Sequence, residues 1–382
     1  MSKDKQVRIK NPPNKIGLWD LYDKNIYVRI KEKINNDFFN HFRENNSKLK
    51  ILDLWGYQNR IYFTPLDLII KILDTFPVEN RKKFKKIIES NLEGLRYGYG
   101  KGKSIKNPEL PIKFSPELAR ICGHLIGDGG IRRVKGDYAV HYTNQNSLLI
   151  KQFKEDIFTI FGSVEAYEYR YHMKDKNKNL KVIRFPSIVG IILMEFFGPM
   201  IKSTKKIPKI ILESDKKYKS LFLQALYDDE GCVSSNRIII AMSNKDIIKN
   251  IKDILEREFS ISPSNIRERR YIKWQNSYIL EIFGVKNMIT FSKEIGFSHS
   301  KKKDKLDTYI KNHKRIHFRK GELKVLICNL LKERKNLSVY DIAASLNIKP
   351  KRSLRAQLFL LEKRKIIKPK INKGRIKVYS LV

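Results

Sequence analysis

Two nine-residue segments, ICGHLIGDG at 121–129 and LQALYDDEG at 223–231, begin 102 residues apart, and each reads as the end of a helix that stops at an acid followed by glycine. The segments downstream of them repeat too. LIKQFKE at 149–155 returns as IIKNIKD at 247–253, 98 residues later, each behind a strand-like run, YAVHYT or RIIIAM. A second amphipathic helix comes next in both copies, IVGIILMEFFG or VKNMITFSKEIG, and then a lysine cluster, KSTKK or HSKKKDK. Such a chain is constrained to two similar halves of about 100 residues, fused in tandem around a pseudo-two-fold axis. Its charge names a partner. Lys and Arg number 79 against 40 Asp and Glu, a net +39 that self-repels in a compact state and is relieved by a polyanion. Duplex DNA, itself symmetric, is the favoured partner and an anionic membrane surface the lesser one.

The two acid-glycine helices carry the chemistry. Ser115-Pro116-Glu117 supplies an N-cap, a proline at the first helical position and a first-turn acid, and Gly129-Gly130 supplies a stop, so the first helix is expected to end at Asp128. In the same frame the second ends at Glu230, with Gly231 free to turn left-handed beyond it. Gly123 and Gly127 lie four apart on the first helix and Ala225 matches Gly123 on the second, so the two can cross in close backbone contact. Asp128 and Glu230 would then emerge side by side. Each meets the negative end of a helix dipole and the charge of the other, which is unfavourable unless a cation lies between them. Oxygen ligands and phosphate substrates suit Mg2+ (or Mn2+), and the implied reaction is metal-assisted phosphodiester hydrolysis. Taken singly, either acid is an ordinary helix-end residue; both in register with a repeat argue for the site.

These two nonapeptides resemble the paired motifs of single-chain LAGLIDADG (dodecapeptide-type, DOD-type) homing endonucleases, over about residues 113–312. The family's metal-binding acids fall on Asp128 and Glu230. The first motif departs from the family pattern at His124, Ile126 and Gly127, and the second at Gln224, Tyr227 and the Asp228-Asp229 pair. The resemblance implies an α+β fold in which each half is αββαββα, with saddle-shaped antiparallel sheets over the DNA major groove. It implies cleavage of both strands at a long site with divalent cations shared by the two acids, helped by lysines or glutamines nearby. Asn144 or Gln145, Lys205 and Lys302 are the matching auxiliary candidates, although a lysine in so basic a chain is otherwise a phosphate contact or solvated surface. Alternation in RERRYIKW puts Arg267, Arg269 and Tyr271 on one face, and in EAYEYRYHM it does the same for Tyr167, Tyr169 and Tyr171. Arginine can read guanine there, and cross-strand packing explains the tyrosines equally well.

Around this core, at 115–316 with halves 115–213 and 214–312, three further segments are expected. Residues 1–97 read as a small α+β domain, with NIYVRI and KLKILDLW as strands and Thr64-Pro65 as the N-cap and first-turn proline of LDLIIKIL. Residues 98–114 read as a basic, Gly-rich, flexible linker; its GKS lacks the P-loop spacing, since Tyr97 stands where glycine is required. Residues 317–382 read as a winged helix-turn-helix: ELKVLICNLLKER, then Ser338 capping VYDIAASL, then KRSLRAQLFLLEK, then a hairpin turning at Asn372-Lys373-Gly374. From 301 onward there are 25 Lys or Arg against 6 Asp or Glu, so about half the excess charge sits there. Lys351, Arg352 and Arg355 on the third helix, with Lys373 and Arg375 on the wing, are the candidate DNA contacts. The alternative is a tri-helical docking module.

Other classes are disfavoured. No apolar run approaches the roughly 20 residues of a membrane span, and the N-terminus lacks a signal h-region, so a cytoplasmic location is expected. Cys122, Cys232 and Cys328 form no C-x-x-C pair, and His313 and His317 read as solvated surface rather than zinc ligands. The termini carry no splice-junction His-Asn, which disfavours an intein. The expectation is a monomeric, site-specific, double-strand DNA endonuclease. A catalytically silent DNA-binding regulator of the same fold, which would have lost the acids, and an RNA-splicing accessory protein are the alternatives.

Overall fold

The N-terminal hundred residues are held by a sheet that reaches past the segment expected to be a linker. In the computed structural model, residues 13–21, 25–45, 57, 59, 62–98, 103–134, 137–173, 178–200, 205–234, 236–270, 276–312, 321–346, 352–371 and 377–382 are described. The first elements are β1 (Lys15–Ile16), β2 (Ile26–Ile30), α1 (Glu32–Asn45), β3 (Thr64–Pro65), α2 (Leu66–Asp74), α3 (Val78–Ser90), β4 (Leu92–Tyr97), β5 (Ser104–Lys106) and β6 (Ile112–Lys113). They form a β3-β2-β4-β5 sheet and a β1-β6 pair. Alternation in β2 buries Ile26, Val28 and Ile30 in the core, where α2 packs on the strand.

Three expectations change here. The linker at 98–114 is, from 103 onward, structured: β5 pairs with β4, β6 with β1, and Ile105 also bridges to Val164. Buried Ile105 and Ile112 supply the apolar side chains that hold it in place. Consequently residues 1–97 do not form a domain apart; one compact unit runs from Met1 to Ile310 with one hydrophobic core, and a second from Lys311 to Val382. Thr64-Pro65 pairs with β2, so α2 starts at Leu66 with Pro65 at its N-cap. KLKILDLW lies outside the described residues.

The repeat then appears as two runs of elements in the same order. The first is α4 (Pro116–Ile126), β7 (Gly129–Val134), β8 (Asp137–Asn144), α5 (Ser147–Phe161), β9 (Tyr167–Met173), β10 (Lys178–Phe185) and α6 (Ser187–Phe197). After α7 (Lys209–Leu212) come α8 (Lys216–Glu230), β11 (Gly231–Ser234), β12 (Arg237–Met242), α9 (Lys245–Phe259), β13 (Arg267–Arg269), β14 (Ser277–Phe283), α10 (Val285–Glu294) and α11 (Ser300–Asn312). Each makes a four-stranded antiparallel sheet of matching order, β7-β8-β10-β9 and β11-β12-β14-β13. The repeated helices share their start signal. Asn146 caps α5 by accepting from the Leu148 N–H, and Asn244 caps α9 by accepting from Asp246 and Ile247.

Part-buried ion pairs tie each acid-bearing helix to the next helix of its run. Arg120 on α4 grips Asp156 on α5 at 2.5 and 2.9 Å, and Lys219 on α8 holds Glu258 on α9 at 2.6 Å. Burial pushes the Asp156 carboxyl up even against the pull of Arg120, so its charge depends on that one partner. Asp156→Ala leaves the part-buried Arg120 with Glu117 at 3.4 Å and should lower stability by about 1–3 kcal/mol. Replacing both members, Arg120→Met with Asp156→Leu, should cost much less. Denaturant midpoints of the two variants check this, and equal losses would contradict it.

The second unit contains α12 (Glu322–Glu333), β15 (Leu337–Ser338), α13 (Val339–Ser345), α14 (Arg352–Lys363), β16 (Ile367–Ile371) and β17 (Lys377–Leu381), in a β15-β17-β16 sheet. Leu354, Leu358 and Leu361 form a buried stripe on α14 against Ile327, Leu331 and Ile342. Ser338 caps α13 through a capping box: its hydroxyl accepts from the Asp341 N–H while Asp341 accepts from the Ser338 N–H. The unit starts at Lys311 rather than at 317, inside the last turn of α11. Among the described residues no helix is long and apolar enough to cross a membrane.

Candidate active site

Two glycines let α4 and α8 touch. A Cβ at Gly123 would lie 2.5 Å from the Phe222 carbonyl oxygen and 2.8 Å from Ala225 Cβ, and one at Gly127 would lie 2.7 Å from Asp229 Cβ. The two acid-glycine ends are thereby brought together. Their stops differ from the expected ones. α4 ends at Ile126, Gly127 caps it, and Asp128 sits in the turn before β7. α8 runs to Glu230, but Gly231 is extended (φ −79°, ψ 153°) and opens β11 directly. Glycine is needed there for room, because a Cβ would come 2.4 Å from the Tyr227 carbonyl oxygen.

Between the acids lies a polar network. The Asp229 side chain is fully buried, and its carboxylate accepts from the Tyr142 hydroxyl at 2.7 Å, from Asn144 Nδ2 at 3.2 Å and from the Asp128 backbone N–H at 3.4 Å. His124 Nδ1 lies 3.0 Å from its other face, in the tautomer that donates. Asn144 Nδ2 also donates to Asp128 Oδ2 at 3.0 Å, and its carbonyl accepts from the Asn146 N–H at 2.9 Å. Burial pulls the His124 imidazole down, but Asp229, with Asp228 and Asp156, pulls it up, and its net shift is upward.

Two lysines close the helix ends. Lys205 Nζ donates to the Gly129 and Ile126 carbonyls at 2.8 and 3.2 Å, and Lys302 Nζ, on α11, to the Asp228 and Tyr227 carbonyls at 2.5 and 3.1 Å. Each ammonium sits where a helix dipole is negative. Asp228 turns away from the acids and accepts the Ser298 and His299 N–H groups at the start of α11, both at 3.0 Å. Crowding by protein atoms, then the charges of Asp229 and Glu230, push Asp128 up to about 7 against the pull of Lys302 and His124. Asp128 keeps an exposed face, which tempers the first cause; the like charges are the part the geometry supports directly. Glu230 is raised too, by burial and by Asp229, with Lys205 and Lys302 opposing.

An acid-glycine helix end followed by ββαββα is a recognisable unit, and the second run carries it complete. Residues 217–296 match the family model of the LAGLIDADG-like domain. This segment covers α8 to α10, including Glu230, and leaves the rest of the chain to be read from its own geometry. Among curated proteins, the chain is 24% identical over 312 residues to the glutamine–fructose-6-phosphate aminotransferase of Methanocaldococcus jannaschii, matching 78% of this chain and 27% of that protein. It thus spans about a quarter of that relative's length. Among solved structures it is similar to the homing endonuclease I-DmoI in complex with DNA and Mn, at 17% identity and TM-score 0.37 over 47% of this chain and 96% of that one. It is also similar to the N-terminal LAGLIDADG domain of DUF199/WhiA, at 13% identity and TM-score 0.34 over 49% and 87%.

In and beside the LAGLIDADG-like segment, the expected residues divide into three groups. Asp128, Asn144, Lys205, Glu230 and Lys302 share one cluster. Gln145 is exposed and joins none of its bonds. Arg267 and Arg269 are exposed on β13, away from the acids, where Arg267 pairs with Glu281 at 2.6 Å. Tyr167, Tyr169 and Tyr171 are exposed on β9, opposite Arg184, Val182 and Leu180 of β10, with the Lys103 ammonium over the Tyr167 ring. Arg355 is exposed on α14; Lys351, Lys373, Arg375, Tyr271, His313, His317 and the side chain of Arg352 lie outside the described residues. Asp229 and Tyr142 are the residues that sequence reasoning missed.

The cluster makes a stability prediction. Burial first, and like charge second, hold Asp128 at about 7, while burial holds Asp228 at about 6 in spite of its N–H donors. Such acids bind protons more tightly folded than unfolded, so the stability they contribute is full below about pH 4 and is lost as pH rises through 6 and 7. The metal-free protein should melt at a lower temperature at about pH 8 than at about pH 5, and Asp128→Asn should flatten that slope and raise the pH 8 value. A variant melting below the parent at pH 8 would contradict the charge cluster.

Proposed function

We propose that the protein is a site-specific, double-strand DNA endonuclease of the homing type, hydrolysing phosphodiester bonds at Asp128 and Glu230. The observation that carries this reading is the convergence of both acids, each raised by its surroundings, at the ends of two helices in backbone contact. Two hard carboxylates that repel each other, with lysines tied back to helix carbonyls, suit Mg2+ or Mn2+ with phosphate oxygens completing the shell. Asp128 and Glu230 would hold it; among the described residues no group of three or more His, Cys, Asp and Glu could hold a metal without substrate. A bound divalent cation supplies charge at the scissile phosphate and a water made acidic enough to attack.

The chain's own residues do the rest. Asn144 orients the Asp128 carboxylate, and the Lys205 and Lys302 ammonium groups, held on backbone carbonyls beside the acids, would offset negative charge that builds on the phosphate. The two matched sheets, read as a saddle across a pseudo-two-fold axis, offer Arg267, Arg269 and the tyrosines of β9 to the major groove. The second unit, read as a winged helix-turn-helix, would lay α14 with Arg355 in a groove and rest the β16–β17 pair on phosphates. It lengthens the footprint. The test is a chase: duplexes selected by binding without metal are given Mg2+ or EDTA. Ends that appear only with Mg2+ support the nuclease. Duplexes that stay bound and intact would instead leave a DNA-binding regulator.

A further inference from the structure

The network around Asp229 is one-sided. Gly129 pairs with Tyr142 in the first sheet and Gly231 with Ile240 in the second, so the counterparts of Tyr142 and Asn144 are Ile240 and Met242. By the 102-residue motif spacing, the counterpart of His124 is Leu226 and that of Asp229 is Gly127. The first run therefore presents an imidazole, a phenol and an amide toward the helix crossing, where the second presents three apolar side chains. Asp229 answers them from the second helix, and the missing side chain at Gly127 is what gives it room, since a Cβ there would meet Asp229 Oδ2 at 2.7 Å.

Asp229 is not placed to be a cation ligand. Its carboxylate is fully buried, and its two oxygens already take donors from Tyr142, Asn144, His124 and the Asp128 backbone. What it can do is hold Asn144. With Nδ2 shared among Asp128, Asp229 and the Tyr142 hydroxyl that Asp229 itself holds, and its carbonyl on the Asn146 N–H, the Asn144 amide has one orientation, and it fixes Asp128 Oδ2. At the place equivalent to Asn144 the second run has Met242, so among the described residues Glu230 has no matching amide.

We propose that Asp229 is a positioning residue that reaches across the helix crossing to lock Asn144 onto Asp128, so that the two acids are unequally equipped and the DNA strand served by Asp128 is cut first. The locking itself stands on geometry alone. Only the strand order rests on the nuclease reading.

The two parts are tested separately on the full chain. Side-chain amides of asparagine are labelled with 15N, Asn144 is assigned by its loss in Asn144→Met, and hydrogen exchange is followed without metal. In His124→Leu/Asp229→Ala both members of the buried pair leave together, so neither is stranded. The Asn144 amide should then exchange at least about tenfold faster, the worth of one bond to a charged group, while the Asn244 amide on the Lys205 carbonyl stays unchanged. If that variant does not fold, Asp229→Asn, which keeps the shape, should give the same selective loss. Unchanged Asn144 exchange in a folded variant overturns the proposal. In the second arm, duplex selected from a random library carries a different label on each strand and is given Mg2+. The parent should nick one strand at least about tenfold ahead of the other, and Asn144→Met should remove that lead. Equal strand rates in the parent overturn the strand order. A protected Asn144 amide with neither strand cut refutes the nuclease reading and leaves the positioning role of Asp229 in place.

Discussion

If the proposed nuclease reading holds, Asp128→Asn and Glu230→Gln should each lower the cleavage rate by at least about 10³-fold while leaving the Kd for the same duplex within about threefold. Both changes keep the size of the side chain and remove only the charge that would hold a divalent cation. Asp128→Asn keeps an oxygen and an amide in the turn before β7, and Glu230→Gln leaves the end of α8 where Lys302 and Gly231 set it. The helix crossing at Gly123 and Ala225 does not involve either carboxylate. Binding to a polyanion cannot suffer from the loss of a negative charge, so any change in Kd is toward tighter binding. Rates come from single-turnover cleavage with excess protein, and affinities from gel shifts in EDTA, where no cation bridges the acids to the phosphate. A variant that cuts at the parent rate removes that acid from the site.

On the same reading, deleting residues 317–382 should weaken duplex binding on the order of 10²-fold near physiological salt and leave the acid cluster intact. The truncation point matters, because α11 extends to Asn312 and carries Lys302, whose ammonium closes the end of α8. Ending the chain at 316 keeps that hydrogen bond. Residues 301–382 hold 25 Lys or Arg against 6 Asp or Glu, and most of this excess lies beyond 316. Each phosphate that is no longer neutralised reduces the slope of log K against log salt by about 0.9, so the truncated protein should show a visibly flatter line. Parallel lines with equal affinity would mean that the second unit does not touch DNA. Cleavage by the truncated protein at raised concentration would show that the catalytic centre lies wholly within residues 1–316.

The acid pair was legible because its signal is doubled. Either helix end alone is commonplace, but a 102-residue spacing in step with LIKQFKE and IIKNIKD places Asp128 and Glu230 in equivalent frames. The glycines that allow the crossing were legible for the same reason. Asp229 was not, since an acid inside LYDDEG looks like one more surface charge. The clue was present in a pair of departures: His124 and Asp229 both replace expected apolar or small residues on faces that meet, and a basic and an acidic group buried opposite each other invite pairing. The helix stops misled because glycine was read as a conformational stop, whereas Gly129 and Gly231 are required for close approach and the free carbonyls are taken by Lys205 and Lys302, some 75 residues away in sequence. The linker misled because Gly and Lys around 98–114 outweigh Ile105 and Ile112, two apolar residues in strands too short to show a period. Their pairing with β4 and β1 is tertiary, and local pattern does not carry it.

If the two crossed helices form one metal-dependent centre that cuts both strands, the cut ends themselves report it. A randomised duplex library is incubated with purified protein and Mg2+, beside an EDTA control and the Glu230→Gln protein, and every new end is sequenced. Paired ends on both strands are expected at one related set of sequences, present with Mg2+ and absent from both controls. Ends that persist in EDTA or with Glu230→Gln, or a library that is retained in sequence-selective complexes and never cut, would contradict a shared metal centre at Asp128 and Glu230.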